Sequence, residues 1–166
     1  MPADKLTDPE AIGGVLPIGE VLGPAALAHV AADDFRPSAY AEWRVEELPA
    51  GHADLDALEQ AAGAEDAGEA GLAEITSPAF VLRVHGQVVA AAGYRAWPSS
   101  TAHLSVLTSP AWRRKGLARK TGSAAVRYAL AQGLLPQWRA QIPASRKAAV
   151  ALGFSELGCQ LSIQLV

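Results

Sequence analysis

The sequence predicts one α/β domain of the α+β kind, a mixed sheet with helices on it, and three observations carry that expectation. Half of the 166 residues are hydrophobic and only 19% are charged, which is too apolar for a disordered chain. A chain of this size exposes roughly 7,800 Å² when folded against roughly 25,000 Å² when unfolded, enough burial for one real core. From residue 43 onward, segments of period two and period 3.6 follow one another as β-α-α-β-β-β-α-β-α-β. No apolar run approaches the roughly 20 residues that span a bilayer. The acidic, polar start from Met1 to Glu10 lacks the pattern of a signal peptide, so a cytoplasmic protein is expected. A single cysteine, Cys159, excludes an internal disulfide and a multi-cysteine zinc site, and is expected as a buried apolar filler.

Residues 1–41 are expected as an N-terminal extension packed on a domain of residues 42–166. Glycine and proline punctuate the extension, and only Pro24 to Asp33 reads as helix, with proline in its first turn. Trp43 to Leu48 alternates as a strand. His52 to Ala62 places Leu55, Leu58 and Ala62 on one helical face. Glu65 to Ile75 is a second helix, diluted by Gly68 and Gly71. Phe80 to His85, a turn at Gly86-Gln87 and Val88 to Ala96 form a hairpin. Ala102 to Thr108 is the next strand, stopped by Ser109-Pro110. A helix then runs to about Gln132, with Leu117, Thr121, Ala124, Ala125 and Tyr128 on its buried face and Gly133 as its stop. Leu135 to Ile142 is a strand. Ser145 to Leu152 is a helix, opened by Pro143 and closed by Gly153. Cys159 to Val166 alternates as a last strand.

The net charge of −3 conceals a strong asymmetry. Residues 1–74 hold 16 carboxylates against Lys5, Arg36 and Arg44, whereas Ile75 to Ser155 holds eleven Lys and Arg and no carboxylate. Such a basic half suits a polyanionic ligand. The alternative is that the two halves neutralise each other across the fold. The basic charge is densest in Arg113-Arg114-Lys115-Gly116-Leu117-Ala118-Arg119-Lys120, between a strand end and a helix start. Cations in a first helical turn oppose the macrodipole, a cost that an anion bound to the free N–H groups would offset. Neither GxxxxGK[ST] nor GxGxxG occurs, so this is not a P-loop or a dinucleotide fingerprint.

Arg113-Arg114-Lys115-Gly116-Leu117-Ala118, after Thr108-Ser109-Pro110, resembles the signature Gln/Arg-x-x-Gly-x-Gly/Ala of the GNAT superfamily of acetyl-CoA-dependent N-acetyltransferases. Ser145 to Phe154 is similar to the family's late helix ending in Leu-Gly-Phe, and the element order agrees over residues 43–166. The resemblance implies a GNAT-like fold. It further implies that backbone N–H groups of Arg113, Arg114, Lys115, Gly116, Leu117 and Ala118 cradle the CoA pyrophosphate, with Arg119 adding charge and Ser145 lying at the cofactor side. Val106, Leu107 and Thr108 would offer a strand edge to the pantetheine arm, and residues 135–142 would splay away to open the cleft.

Four positions at which many members carry chemistry are empty. Ile142 stands where asparagine is common, Ala149 where a tyrosine acid is common, and Ala102 and Leu104 where a carboxylate or imidazole is common. His103 lies on the same strand, but alternation points it to the opposite face. Tyr94 and Trp97 are candidates for lining an acceptor pocket or for the core, and Trp138 and Arg139 flank the expected cleft. Any carboxylate base must come from the acidic half, with Glu46, Glu47 and Glu74 as candidates beside His103. The alternative expectation is that water takes the proton, with activity rising as the free amine fraction rises with pH. Four scattered histidines without metal-ligand spacing give no metal site. The expected partners are acetyl-CoA and a primary amine, without a membrane. A nucleic-acid partner is disfavoured because exposed aromatics are not interleaved with the basic residues. A homodimer is one form the sequence leaves open. The rival function is a catalytically degenerate module of the same fold that binds CoA.

Overall fold

The computed structural model describes residues 5–39 and 43–166, so the expected domain boundary at 41–42 lies outside the described residues. After a short helix α1 (Pro9–Gly13), the chain builds β1 (Ile18–His29), β2 (Glu46–Leu48), α2 (Ala53–Ala62), α3 (Ala64–Ala70), β3 (Ala79–Val84), β4 (Gln87–Trp97) and β5 (Thr101–Thr108). Then come α4 (Leu117–Ala131), β6 (Leu135–Ala140), α5 (Pro143–Ala151) and β7 (Ser155–Leu165). From residue 43 this is the order that the periodicity predicts. The second expected helix is cut by Gly71, whose left-handed φ of 64° separates α3 from a 3-10 turn at Leu72–Glu74.

Among the described residues, seven strands form one sheet in the order β2-β3-β4-β5-β6-β1-β7. Neighbours run antiparallel except β5 and β6, which are parallel. One face packs Phe80, Ala92, Tyr94, Ala102, Leu104 and Trp138 against α4 and α5. The other packs Val81, Ala91 and Leu107 against Leu55 and Leu58 of α2 and Leu72 of the turn. Alternation along β5 therefore sends Ala102 and Leu104 to one face and Ser105 and Leu107 to the other. The helix α4 is buried more widely than the expected stripe, with Gly122, Ser123, Val126 and Ala129 also covered.

The N-terminal segment corrects two expectations. Residues 24–33 do not form a helix, and residues 18–29 are not an appendage: β1 runs through the sheet, pairing with β6 at 26–29 and with β7 from Ile18 to His29. Local propensity favours helix for an Ala- and Leu-rich run, but two open strand edges outweigh it once the sheet exists. Pro24 is tolerated because the β1–β7 register shifts between Leu22 and Ala25, where a missing N–H costs no ladder bond. A Cβ at Gly23 would lie 2.7 Å from the Gln160 carbonyl oxygen, so this strand crossing requires glycine. Cys159 is also corrected: it is exposed on the edge strand β7, its Sγ 3.3 Å from Thr7 Oγ1.

Candidate active site

Parallel pairing of β5 with β6 is confined to three rows, Thr101 with Leu135, Ala102 with Pro136 and His103 with Gln137. Beyond that row β5 continues from Leu104 to Thr108 alongside β4 alone, and β6 continues from Trp138 to Ala140 alongside β1 alone. Among the described residues, the facing edges are thus unpaired, and the sheet splits into a wedge with His103 and Gln137 at its apex. The five residues from Leu104 to Thr108 span about 15 Å of open strand edge. Val106, Leu107 and Thr108 all lie on this stretch.

At the wide end of the wedge, Pro110–Trp112 makes a 3-10 turn and the chain bends through Arg114 (φ 62°) and Gly116 (φ 72°), both left-handed. Gly116 opens α4, and no side chain among the described residues caps the helix start. The first helical N–H to find its acceptor is that of Lys120, on the Gly116 carbonyl at 3.2 Å, which leaves the earlier N–H groups without intrahelical partners. A Cβ on Gly116 would meet nothing within 4 Å. The glycine therefore serves backbone conformation and leaves open space above the turn. Two polar side-chain atoms flanking this segment in the chain, Thr108 Oγ1 and Arg119 Nε, are buried without a partner among the described residues. Among the described residues, N–H groups without intrahelical partners, polar atoms without partners and open space make a cradle of the kind that holds an anion.

The basic residues divide into two sets. Arg113 is tied back to Asp66 of α3, and its Nε donates to the Thr108 carbonyl at 3.4 Å. Arg114 and Lys115 are exposed and make no ion pair among the described residues, Lys115 resting over the Trp112 ring. Lys120 is buried with its ammonium 4.9 Å from the Trp43 ring centroid. Ser145, at the start of α5, accepts a 3.0 Å hydrogen bond from Trp138 Nε1. It orients the buried indole at the β6 side of the wedge.

The other candidates are widely separated. Glu46 and Glu47 lie on β2, three strands or about 14 Å from β5. Glu46 is engaged with Arg83 at 3.0 Å. Glu74 sits beside the apex face and pairs with Arg95, the cross-strand neighbour of His103. His103 itself faces away from Ala102 and Leu104, as alternation requires. Its ring stacks on Trp97 at 4.2 Å, and Gln137 Nε2 donates to its Nδ1 at 3.1 Å. Burial, with Arg139 and Arg95 nearby, holds the imidazole below the ordinary histidine value, and Glu74 opposes this only weakly. Arg139, on the same face, is paired with Glu69 of α3, and its Nη2 is buried without a partner. Tyr94 is core. Ala149 is buried against the α4 core, and Ile142 is exposed. Sequence reasoning missed Gln137, whose only signal was a polar residue on a strand buried on both faces.

The family model for GNAT acetyltransferases matches residues 72–159. No functionally curated protein matches the chain. Among solved structures, a GNAT-family acetyltransferase from Colwellia psychrerythraea superposes with a TM-score of 0.66 at 15% identity, over 90% of this chain and 59% of its own. A GNAT-family structure from Novosphingobium aromaticivorans gives 0.64 at 22% identity, over 87% of this chain and 65% of its own. A GCN5-related N-acetyltransferase-like protein from Streptococcus suis gives 0.61 at 18%, over 95% and 67%. The chain thus spans about three-fifths of the length of the first two. At these identities the likeness is one of fold.

Proposed function

The chain belongs to the GNAT acetyltransferase family, and from that premise we propose that it binds acetyl-CoA in the β5–β6 wedge and transfers the acetyl group to a primary amine. The observation that carries this reading is the wedge itself, which joins an uncapped helix start to an unpaired strand edge. The diphosphate sits on the N–H groups of residues 113–118, with Arg114 and Lys115 adding attraction from solvent. The pantetheine arm pairs with the free edge at Val106, Leu107 and Thr108 as an added strand. That path brings the thioester to the apex, beside His103.

The reaction is direct attack of the amine lone pair on the thioester carbon, a C–N bond forming and the C–S bond breaking. Placement supplies most of the acceleration, and the amine proton passes to water. No carboxylate projects from β5 or β6, and Glu74 at the nearest turn is engaged with Arg95. The rate therefore rises with pH as the acceptor deprotonates.

Titration calorimetry with acetyl-CoA, followed by free-thiol release across a panel of primary amines, tests the reading. Saturable binding with turnover on at least one amine supports it. Binding without turnover on any amine favours the degenerate CoA-binding module, which the empty positions at Ala102, Leu104, Ile142 and Ala149 make the natural rival. Absence of binding removes the cofactor assignment.

A further inference from the structure

Three polar side chains from three adjacent strands join hands at the apex of the wedge. His29 of β1 is the register partner of Gln137 on β6, and Gln137 is the register partner of His103 on β5. His29 Nε2 donates to Gln137 Oε1 at 3.0 Å, and Gln137 Nε2 donates to His103 Nδ1 at 3.1 Å. Gln137 is buried, while both histidines are partly so. The far nitrogen of His29, Nδ1, is buried without a partner. Among the described residues, His103 Nε2 makes no hydrogen bond, and the residue is only partly buried.

The direction of this chain decides what His103 can do. An amide can be turned over in principle, and a neutral imidazole carries its proton on one nitrogen only. With the amide turned over, Gln137 would donate to His29 Nε2 and force the proton of His29 onto Nδ1. That proton would then be a buried N–H with no acceptor, costly in the way any orphaned donor is. The observed direction leaves Nδ1 as a bare lone pair instead, so His29 biases the amide, and the amide in turn holds His103 Nδ1 as an acceptor. The proton of His103 then resides on Nε2, which has no partner among the described residues. Trp97 fixes the plane of the ring by stacking on it. The groups around it are Arg95 on β4, Arg139 on β6 with its partner Glu69 on α3, and Glu74 on the turn. Burial, and after it the guanidiniums of Arg139 and Arg95, favour the neutral ring.

Resting on the acetyl-transfer reading above, we infer that His103 meets the reacting centre as a neutral Nε2–H hydrogen-bond donor, and that Gln137 and His29 are positioning residues that fix this tautomer. The donor faces the oxygen on which negative charge develops as the amine adds to the thioester carbon. It gives no proton away: the amine proton goes to water, and the departing thiolate is reprotonated from solvent. A neutral imidazole donor at an apex without carboxylates stabilises that charge as an oxyanion-hole group does. His103 is thus a catalytic residue without being a base.

The test is nitrogen NMR on protein labelled with 15N-histidine, which reads the tautomer of each ring directly. The expected result is His103 protonated at Nε2 with Nδ1 as acceptor, His29 protonated at Nε2, and a shift at His103 Nε2 on saturation with acetyl-CoA. Gln137→Leu should leave His103 a mixture of tautomers; should that variant fail to fold, the wild-type spectrum still decides. A His103 ring protonated at Nδ1 overturns the proposal. So does an unperturbed His103 in protein that calorimetry shows to be saturated with acetyl-CoA, and in that case the cofactor reading survives. Absence of acetyl-CoA binding removes the cofactor reading and this proposal with it. With an accepted amine in hand, His103→Ala should lose more than about 10²-fold in kcat, whereas His103→Gln, which keeps an N–H at the same reach, should stay within about tenfold. Equal losses in both would show that a titrating base had been removed.

Discussion

Gly116 and Arg113 are neighbours with different jobs, and their substitutions should separate them. Gly116 sits at φ 72° with open space where a Cβ would go, a conformation that aspartate tolerates better than most residues. Gly116→Asp should therefore fold, yet lose acetyl-CoA binding by placing a carboxylate where the diphosphate belongs. An unchanged Kd by calorimetry would remove the cofactor site. Arg113 is committed to Asp66, so Arg113→Ala should weaken binding only moderately, and more at low salt than at high salt. His103 supplies a stability signature independent of activity. Its folded-state pKa lies below its unfolded value, so between the two the unfolded chain binds the extra proton. Stability should fall as pH drops below the ordinary histidine range and level off once the folded ring is protonated. Thermal melts from pH 7.5 to 5 would show it, and His103→Gln should flatten that part of the profile. At this scale the sequence revealed the loop, because charge density and glycine spacing are written in consecutive residues. It did not reveal the His29–Gln137–His103 chain, whose members are 108 and 34 residues apart and become neighbours only through strand order.

At the scale of elements, the glycine of Leu152-Gly153-Phe154 has a packing reason. The chain of residues 31–36 passes directly over it: Arg36 N–H donates to the Leu152 carbonyl at 2.9 Å, and a Cβ on Gly153 would run into the Asp34 carbonyl. With φ at 94° as well, Gly153→Ala should cost about 2–5 kcal/mol in urea denaturation, by backbone strain and overpacking together. Leu152 on one side is fully buried, and Phe154 on the other meets Trp138 edge-on at 5.6 Å. The motif thus locks α5 and β7 under the strap that leaves β1. From residue 43 the elements were legible because each carries its own period and its own stop, such as Gly133 or Ser109-Pro110. The strand β1 was illegible because its burial is set by β6 and β7, which lie more than 100 residues away. Deleting residues 1–30 should abolish cooperative thermal unfolding, since β7 would lose β1, its one sheet neighbour among the described residues. A native-like melt from the truncated chain would show that β1 is dispensable.

Across the whole molecule, the charge asymmetry has two outcomes at once. Arg83 with Glu46 and Asp54, Arg95 with Glu74, Arg113 with Asp66 and Arg139 with Glu69 all join the basic half to the acidic one. Internal neutralisation therefore absorbs much of the positive charge that the sequence alone suggested was aimed at a ligand. Arg114 and Lys115 stay outside those pairs, at the helix start where an anion is expected. Because most of the pairs are exposed, each contributes little to stability. Raising salt from 0.05 to 0.5 M should change the unfolding midpoint by only a few degrees while weakening acetyl-CoA binding severalfold. An equal response of both quantities would mean that the basic residues serve the fold rather than the ligand. The accessible surface, 9354 Å², exceeds the size expectation of roughly 7,800 Å². From Ile18 to Ala25, β1 pairs with β7 and, among the described residues, not with β6, so this end of the sheet is a two-stranded ribbon.

The lodging of the first strand between the two last-made ones gives the polypeptide an unusual order of assembly. During synthesis, residues 18–29 leave the ribosome about 6–20 s before residues 135–140, at the usual elongation rates. Until then, this segment has no native strand partner. Refolding should accordingly be slow for a chain of this size, with sheet closure as its late event. The same placement brings the start of β1 beside the end of β7: Ile18 is the register partner of Leu165, and Val166 N–H donates to the Pro17 carbonyl at 3.1 Å. A circular permutant that joins Val166 to Pro17 through a short turn and opens the chain between residues 39 and 43 would convert β7 and β1 into a hairpin. Every strand pairing would be kept, while the longest loop closure would be replaced by a local one. Stopped-flow refolding of that permutant should be faster than that of the parent, with unfolding rates little changed.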